Sequence, residues 1–248
     1  MDPTPIHWAP LWLSLKVAGW STIICAFVGT ALGWFQARAR YPGRELIDAL
    51  LMLPMVLPPT VLGYYLLVLL GSRSPLGHWL DDQWGVQLIF TWQGAVVAAA
   101  LVALPLVYKA ARLGFEAVPT DLENAGRALG LTPSAVFVRI TLPLAGKSIS
   151  AGCLLAFARA MGEFGATLMV AGNIPSQTQT LALAVYDAVQ SGNDNLATTL
   201  VLLTSAACVA VLLAAGYLLR ATPSVVSGLK CRLIAPPSSP LARRDEES

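Results

Sequence analysis

Four stretches of this sequence run for 21 residues or more without a charged side chain: Val17 to Ala37, Ala49 to Ser72, Gln83 to Tyr108 and Asn195 to Leu219. A helix rises 1.5 Å per residue and the hydrocarbon core of a bilayer is about 30 Å thick, so about 20 such residues cross it. A fifth apolar stretch, Ile149 to Ala171, is interrupted by Arg159 and Glu163 but has the length of a span and is counted as one. The reading is therefore an all-α integral membrane protein with five transmembrane helices, at about 11–37, 46–71, 87–109, 149–171 and 196–220. Composition supports it. Of the 248 residues 56% are apolar and 12% are charged, about half the roughly 25% of a soluble domain. The mean hydropathy of +0.64 leaves too little polar material to clothe a soluble surface. The net charge of +2 and the absence of a basic stripe argue against a nucleic-acid partner.

Lys and Arg set the orientation. The segments 38–44, 109–147 and 220 onward hold 13 of the 16 basic residues, the opposite loops hold only Arg73, and Lys16 and Arg159 lie inside spans. The basic side is cytoplasmic by the positive-inside rule, which puts the N-terminus outside and the C-terminus inside. The first span lacks a basic n-region and a small-residue cleavage site, so it is not read as a signal peptide. The Pro- and Ser-rich tail, 221–248, reads as a disordered cytoplasmic extension. Cys25, Cys153, Cys208 and Cys231 form no close pair and suggest neither a zinc site nor a disulfide framework. Gly29 and Gly33 have the spacing that lets membrane helices approach closely.

The cytoplasmic loop 110–148 is long and not of low complexity. Thr120 and Glu123 have the spacing of a capping box, which predicts a helix beginning there with Leu122, Ala125 and Leu129 on one face and Gly130 as a left-handed terminator. Thr132 and Pro133 then start a second helix to about Ile140, which Pro143 should stop. A two-turn helix is marginal in water and needs a support. That support is either the chain's own membrane domain or a cleft on a cytoplasmic partner.

The run from Leu122 to Gly130, with Ile140-Thr141-Leu142-Pro143 ten positions after the glycine, resembles the EAA loop of ABC importer permeases. Asn124, Ala125 and Gly126 stand at the three positions that name the motif, and the acidic residue is displaced to Glu123. The segment Leu53-Pro54-Met55-Val56-Leu57-Pro58-Pro59-Thr60-Val61-Leu62-Gly63-Tyr64 is similar to the second span of molybdate permeases. The run from Phe157 to Thr167, with Gly172-Asn173-Ile174-Pro175, is similar to their fourth. Sulfate and tungstate permeases have related fourth spans. The resemblance covers nearly all of 11–220 and implies a type I ABC importer permease core, dimeric, in a prokaryotic inner membrane. It implies two copies of a cytoplasmic ATPase, an extracytoplasmic molybdate-binding protein, and a coupling helix in which Glu123, Asn124, Ala125, Gly126 and Gly130 are the coupling residues.

Arg159 and Glu163, four apart, fall on one face of the fourth span, well inside the hydrocarbon. They are either a mutually neutralising pair facing the bundle or groups lining the translocation route; both readings can hold. Gly146-Lys147-Ser148 looks like the end of a phosphate loop, but Thr141 stands where the first glycine belongs. ATP hydrolysis is accordingly assigned to another subunit, and no cofactor is expected. A stand-alone secondary transporter is the rival of another class. The single carboxylate deep within the spans, Glu163, and the expectation of no pair of broken helices, weigh against it.

Overall fold

The computed structural model describes residues 8–39, 41–85 and 87–221. In chain order its helices are α1 (Ala9–Arg38), α2 (Arg44–Val56), α3 (Pro59–Leu70), α4 (Pro75–Trp84), α5 (Trp92–Glu116), α6 (Thr120–Ala128) and α7 (Pro133–Val136). A π-helical turn, Phe137–Thr141, follows, and then α8 (Leu142–Met161), α9 (Gly165–Ala171), α10 (Leu181–Gln190) and α11 (Asp194–Ala221). Of the expected disordered tail, 221–248, Ala221 is the last residue of α11 and 222–248 lie outside the described residues.

The centre of the bundle is α5, whose inward face is nearly all alanine, glycine and valine. Lipid rewards no apolar burial, so membrane helices hold together by close approach and by hydrogen bonds. Helix α1 meets α5 through small residues. The Ser21 hydroxyl donates to the Val96 carbonyl at 3.0 Å and the Cys25 thiol to the Ala100 carbonyl at 3.2 Å. A Cβ on Gly33 would lie 2.8 Å from that of Ala111 and one on Gly29 3.0 Å from that of Val107. The Gly29/Gly33 spacing is thus a packing contact. These contacts ascend together, so α1 and α5 run parallel, whereas Gly152 against Ala110 and Gly114 against Ser148 place α8 antiparallel to both.

Two parallel helices need a return crossing between them, and α2 with α3 provides it. Arg44 pairs with Glu116 at 2.7 Å, at the end of α5. Leu62, Leu66 and Leu70 of α3 pack with Ala98 and Val102, towards the start of α5. The second span, read from sequence as one stretch over 46–71, is two helices bent by 108°. Pro58 and Pro59 lack N–H donors and their rings exclude the preceding carbonyls from a continuing helix. Among the described residues four helices are long and apolar enough to cross a membrane, or five with the bent pair as one span.

The third span starts later than expected and runs further, to Glu116. The fourth differs more. Pro143 does not stop the preceding helix, which continues from Pro133 to Met161. In the π-turn the Leu142 N–H reaches the Phe137 carbonyl, five residues back. The widened turn makes room for the proline ring one residue later, where an α-helix would clash. The fourth span is then broken at Gly162–Phe164. The expectation of no paired broken helices is therefore also wrong: the second and fourth spans are both interrupted. A short apolar helix, Leu181–Gln190, lies between the last two spans.

Candidate coupling surface and intramembrane ion pair

At the end of the bundle where Arg38, Arg44 and Arg112 gather, α6 lies across the helix ends. Its N-cap is Pro119, with Thr120 already the first helical residue and making no cap bond. The capping box is thus absent. A proline nitrogen carries no hydrogen, so the Glu123 carboxylate has no cap donor to reach back to. It turns inward instead. Glu123 is 7% exposed, accepts a hydrogen bond from the Thr141 hydroxyl at 2.7 Å, and forms an ion pair with Arg38 at the end of α1. A buried carboxylate left without such partners would be costly. One residue therefore ties α6 to both α1 and the π-turn.

Gly126 completes the attachment, since a Cβ there would lie 2.7 Å from the Cδ1 of Ile140. The helix ends as expected. Gly130 has φ +84°, its N–H reaches the Arg127 carbonyl at 3.0 Å, and the Leu131 N–H reaches that of Gly126 at 3.1 Å. These are the two bonds of a Schellman terminator. Thr132 caps the next turn through the Ala135 N–H at 3.3 Å. The side of α6 that faces away from the chain carries Asn124 and Ala125, with Leu122 39% and Leu129 85% exposed.

A second polar cluster at this end was not legible in the sequence. The Asp48 carboxylate of α2 accepts from the Tyr108 hydroxyl and from Arg112 at 2.5 Å, with Lys109 at 3.5 Å. Helix α2 buries no side chain in the single chain, so these bonds and Arg44–Glu116 are its main polar attachment.

Inside the bundle, Arg159 and Glu163 meet at 2.8 Å. The expectation that both stand on one helix face is corrected, because α8 ends at Met161 and Glu163 sits in the break. From there its Oε1 accepts the Ala166 N–H at 3.0 Å, closing the start of α9. Glu163 is 2% exposed and Arg159 36%. The break adjoins the elbow of the second span: a Cβ on Gly165 would lie 3.0 Å from that of Pro59, and one on Gly63 2.7 Å from that of Met169. The two interrupted spans touch at their interruptions. Gly146-Lys147-Ser148, by contrast, is the second turn of α8 and not a loop.

The family described as "Binding-protein-dependent transport system inner membrane component" matches residues 29–222. The chain belongs to this family. It is 41% identical over 218 residues to the molybdenum transport system permease protein ModB of Escherichia coli (strain K12), covering 88% of this chain and 95% of that one. It is 44% identical over 188 residues to the putative molybdenum transport system permease protein YvgM of Bacillus subtilis (strain 168), covering 76% and 83%. To the sulfate transport system permease protein CysT of E. coli it is 32% identical over 203 residues, covering 77% and 73%. Among solved structures, an inward-facing form of the MetNI methionine ABC transporter matches with a TM-score of 0.67 at 17% identity, covering 89% of this chain and 99% of that one. A bacterial ABC transporter for alginate matches with a TM-score of 0.70 at 14% identity, covering 88% and 80%.

In this inner membrane permease the residues singled out from sequence form two groups. Glu123, Asn124, Ala125, Gly126 and Gly130 share α6 and its terminator; two of them, Glu123 and Gly126, face inward and the others outward. Arg159 and Glu163 stand together at the touching breaks. Missing from the sequence reading were Arg38 and Thr141, the partners of Glu123. In the sequence Arg38 is one of the basic residues that set the orientation and Thr141 lies within the Ile-Thr-Leu-Pro run, and neither position signals the pairing.

Proposed function

We propose that this permease is the membrane-spanning subunit of an ATP-driven importer whose cargo is molybdate. The observation that carries the cargo is the 41% identity to a molybdenum permease along almost the whole of both chains. The sulfate permease is a more distant relative, which makes sulfate or thiosulfate, and with them tungstate, the alternative cargo for the same machinery. Family membership rules against the stand-alone secondary carrier.

In this reading two copies of the chain enclose a pathway, the basic end faces the cytoplasm, and an extracytoplasmic binding protein delivers the anion. Two copies of a separate ATPase hydrolyse ATP. The outward face of α6, with Leu122, Asn124, Ala125 and Leu129, is the surface offered to the ATPase; its exposure supports this reading. Glu123 and Gly126 would serve coupling from the inner side, by fastening α6 to α1 and to the π-turn. When the ATPases close, the two α6 helices approach each other and the displacement passes to α8. Arg159, half-exposed beside a buried Glu163, is the pathway group suited to an oxyanion, while Glu163 limits how tightly the anion is held and fixes the break.

The test is uptake by vesicles containing the chain with its cognate ATPase and binding protein. ATP-dependent molybdate uptake that excess sulfate does not suppress is expected. Uptake led by another oxyanion would keep the machine and replace the cargo, and uptake by the chain alone would overturn the proposal.

A further inference from the structure

Lys16 is a cation with no role in the coupling surface or in the Arg159–Glu163 pair. Lys16 lies on α1 seven residues past Ala9, about 10 Å along the helix axis, and is half-buried. Among the described residues it belongs to none of the ion pairs. Its Nζ stands 3.5 Å from the centroid of the Trp92 ring. A π-face stabilises an ammonium group and fixes its position, yet leaves N–H donors free.

Those donors share a cavity of about 400 Å³ between the starts of α1 and α5 and the turn after α9. Its rim carries Gln93, Ser176 and Gln177, and no carboxylate lines it. Two further wall residues are strained. Phe90 and Ser176, at φ 60° and 63°, are the non-glycine residues with positive φ among the described ones, and both line this cavity. The strain is held in place, Phe90 by its N–H to the Val170 carbonyl at 2.9 Å and the Ser176 turn by three N–H groups converging on the Ile174 carbonyl. Strained backbone persists where the surroundings over-determine it and clusters at binding sites.

A lone ammonium without a carboxylate, ringed by amide and hydroxyl groups, suits an anion with several acceptor oxygens. We propose that this cavity is a binding site for a tetrahedral oxyanion, with Lys16 supplying the charge and Trp92 positioning it. The site is at the end of the bundle away from the basic residues, apart from Arg159. The oxyanion is either a free dianion of the cargo class, which rests on the proposed function, or the phosphate of a lipid headgroup. The second source has support from Trp12, in the wall of the same cavity, and Trp20, which lines the adjoining cavity with Lys16; tryptophan is of the type that sits at membrane interfaces.

The experiment uses the purified full chain without ATPase, so it does not depend on transport. In a phosphate-free sugar detergent, molybdate, sulfate and phosphate binding is measured by equilibrium dialysis for the natural chain, Lys16→Gln, Lys16→Arg and Arg73→Gln. In parallel, native mass spectrometry counts phosphatidylglycerol retained by each from vesicles of that lipid. Lys16→Gln is expected to weaken binding about tenfold, the loss of one charge-assisted hydrogen-bond donor, with Lys16→Arg recovering most of it and Arg73→Gln, at an exposed loop cation, leaving it in place. Loss in the dialysis arm identifies a free oxyanion; loss in the lipid arm alone identifies a headgroup phosphate. Equal binding by the natural chain and a folded Lys16→Gln in both arms overturns the proposal. So does failure of Lys16→Arg to recover binding while remaining folded.

Discussion

Glu163 divides its work between two oxygens: one closes the start of α9 through the Ala166 N–H, and the other faces the Arg159 guanidinium. Glu163→Gln keeps an oxygen for the cap and removes the charge, which isolates the ion pair. The single change leaves Arg159 uncompensated, so it is expected to cost more stability than the double change with Arg159→Gln, with a coupling of about 1–3 kcal/mol. Thermal unfolding of the four purified chains measures this, and additive losses would remove the pair. The sequence placed these residues at the right spacing but on the wrong element. Helical spacing brings i and i+4 together, and so does a chain that leaves the helix after Met161 and turns back, so spacing alone does not tell the two apart. Glu123 was misassigned for a related reason. A Thr-x-x-Glu pattern reports a capping box only when the residue before the helix has an N–H to give, and here it is Pro119.

Among the elements, α6 shows most directly how a short helix is held. Two turns are fastened inward by Glu123 and Gly126 and ended by Gly130, whose positive φ needs no space around it, for a Cβ there would meet nothing within 4 Å. The requirement is on the backbone alone. Gly130→Val forces a β-branched residue into the left-handed region at about 1–2 kcal/mol, more than a two-turn helix can absorb. It should leave membrane insertion intact while lowering ATP-driven uptake several-fold in reconstituted vesicles; normal uptake would refute the importance of the terminator. This terminator and the Thr132 cap were legible because they are local backbone chemistry. The elbow of the second span was legible as proline positions but not as a 108° bend, since prolines mark where a helix is interrupted and neighbours decide the angle. Helix α3 takes its direction from Gly63 against Met169, a contact made with a segment a hundred residues away in the chain.

For the molecule as a whole, hydropathy picked out four apolar crossings, and a fifth if the bent pair is one span, and charge picked out a basic end, which the ion pairs of Arg38, Arg44 and Arg112 bring together in space. What neither could give is the polar wiring between distant elements, such as Asp48 with Tyr108 and Arg112, because core-facing and lipid-facing residues are alike apolar and hydropathy does not tell them apart. The outward face of α6 makes the assembly testable. Leu122→Asp with Leu129→Asp removes apolar surface from side chains that are already exposed, so the chain should keep its thermal stability within about 0.5 kcal/mol. Co-purification with the ATPase should be lost; retention would argue that α6 is not the docking face. The π-turn between α6 and α8 has a consequence of another kind. One extra residue in a helix is a phase advance of about 100°, so without Phe137–Thr141 as a widened turn every side chain from Leu142 onward would point to a different azimuth. Arg159 would then face away from the break it now adjoins. The compass bearing of Arg159 is set far upstream, where α6 rests.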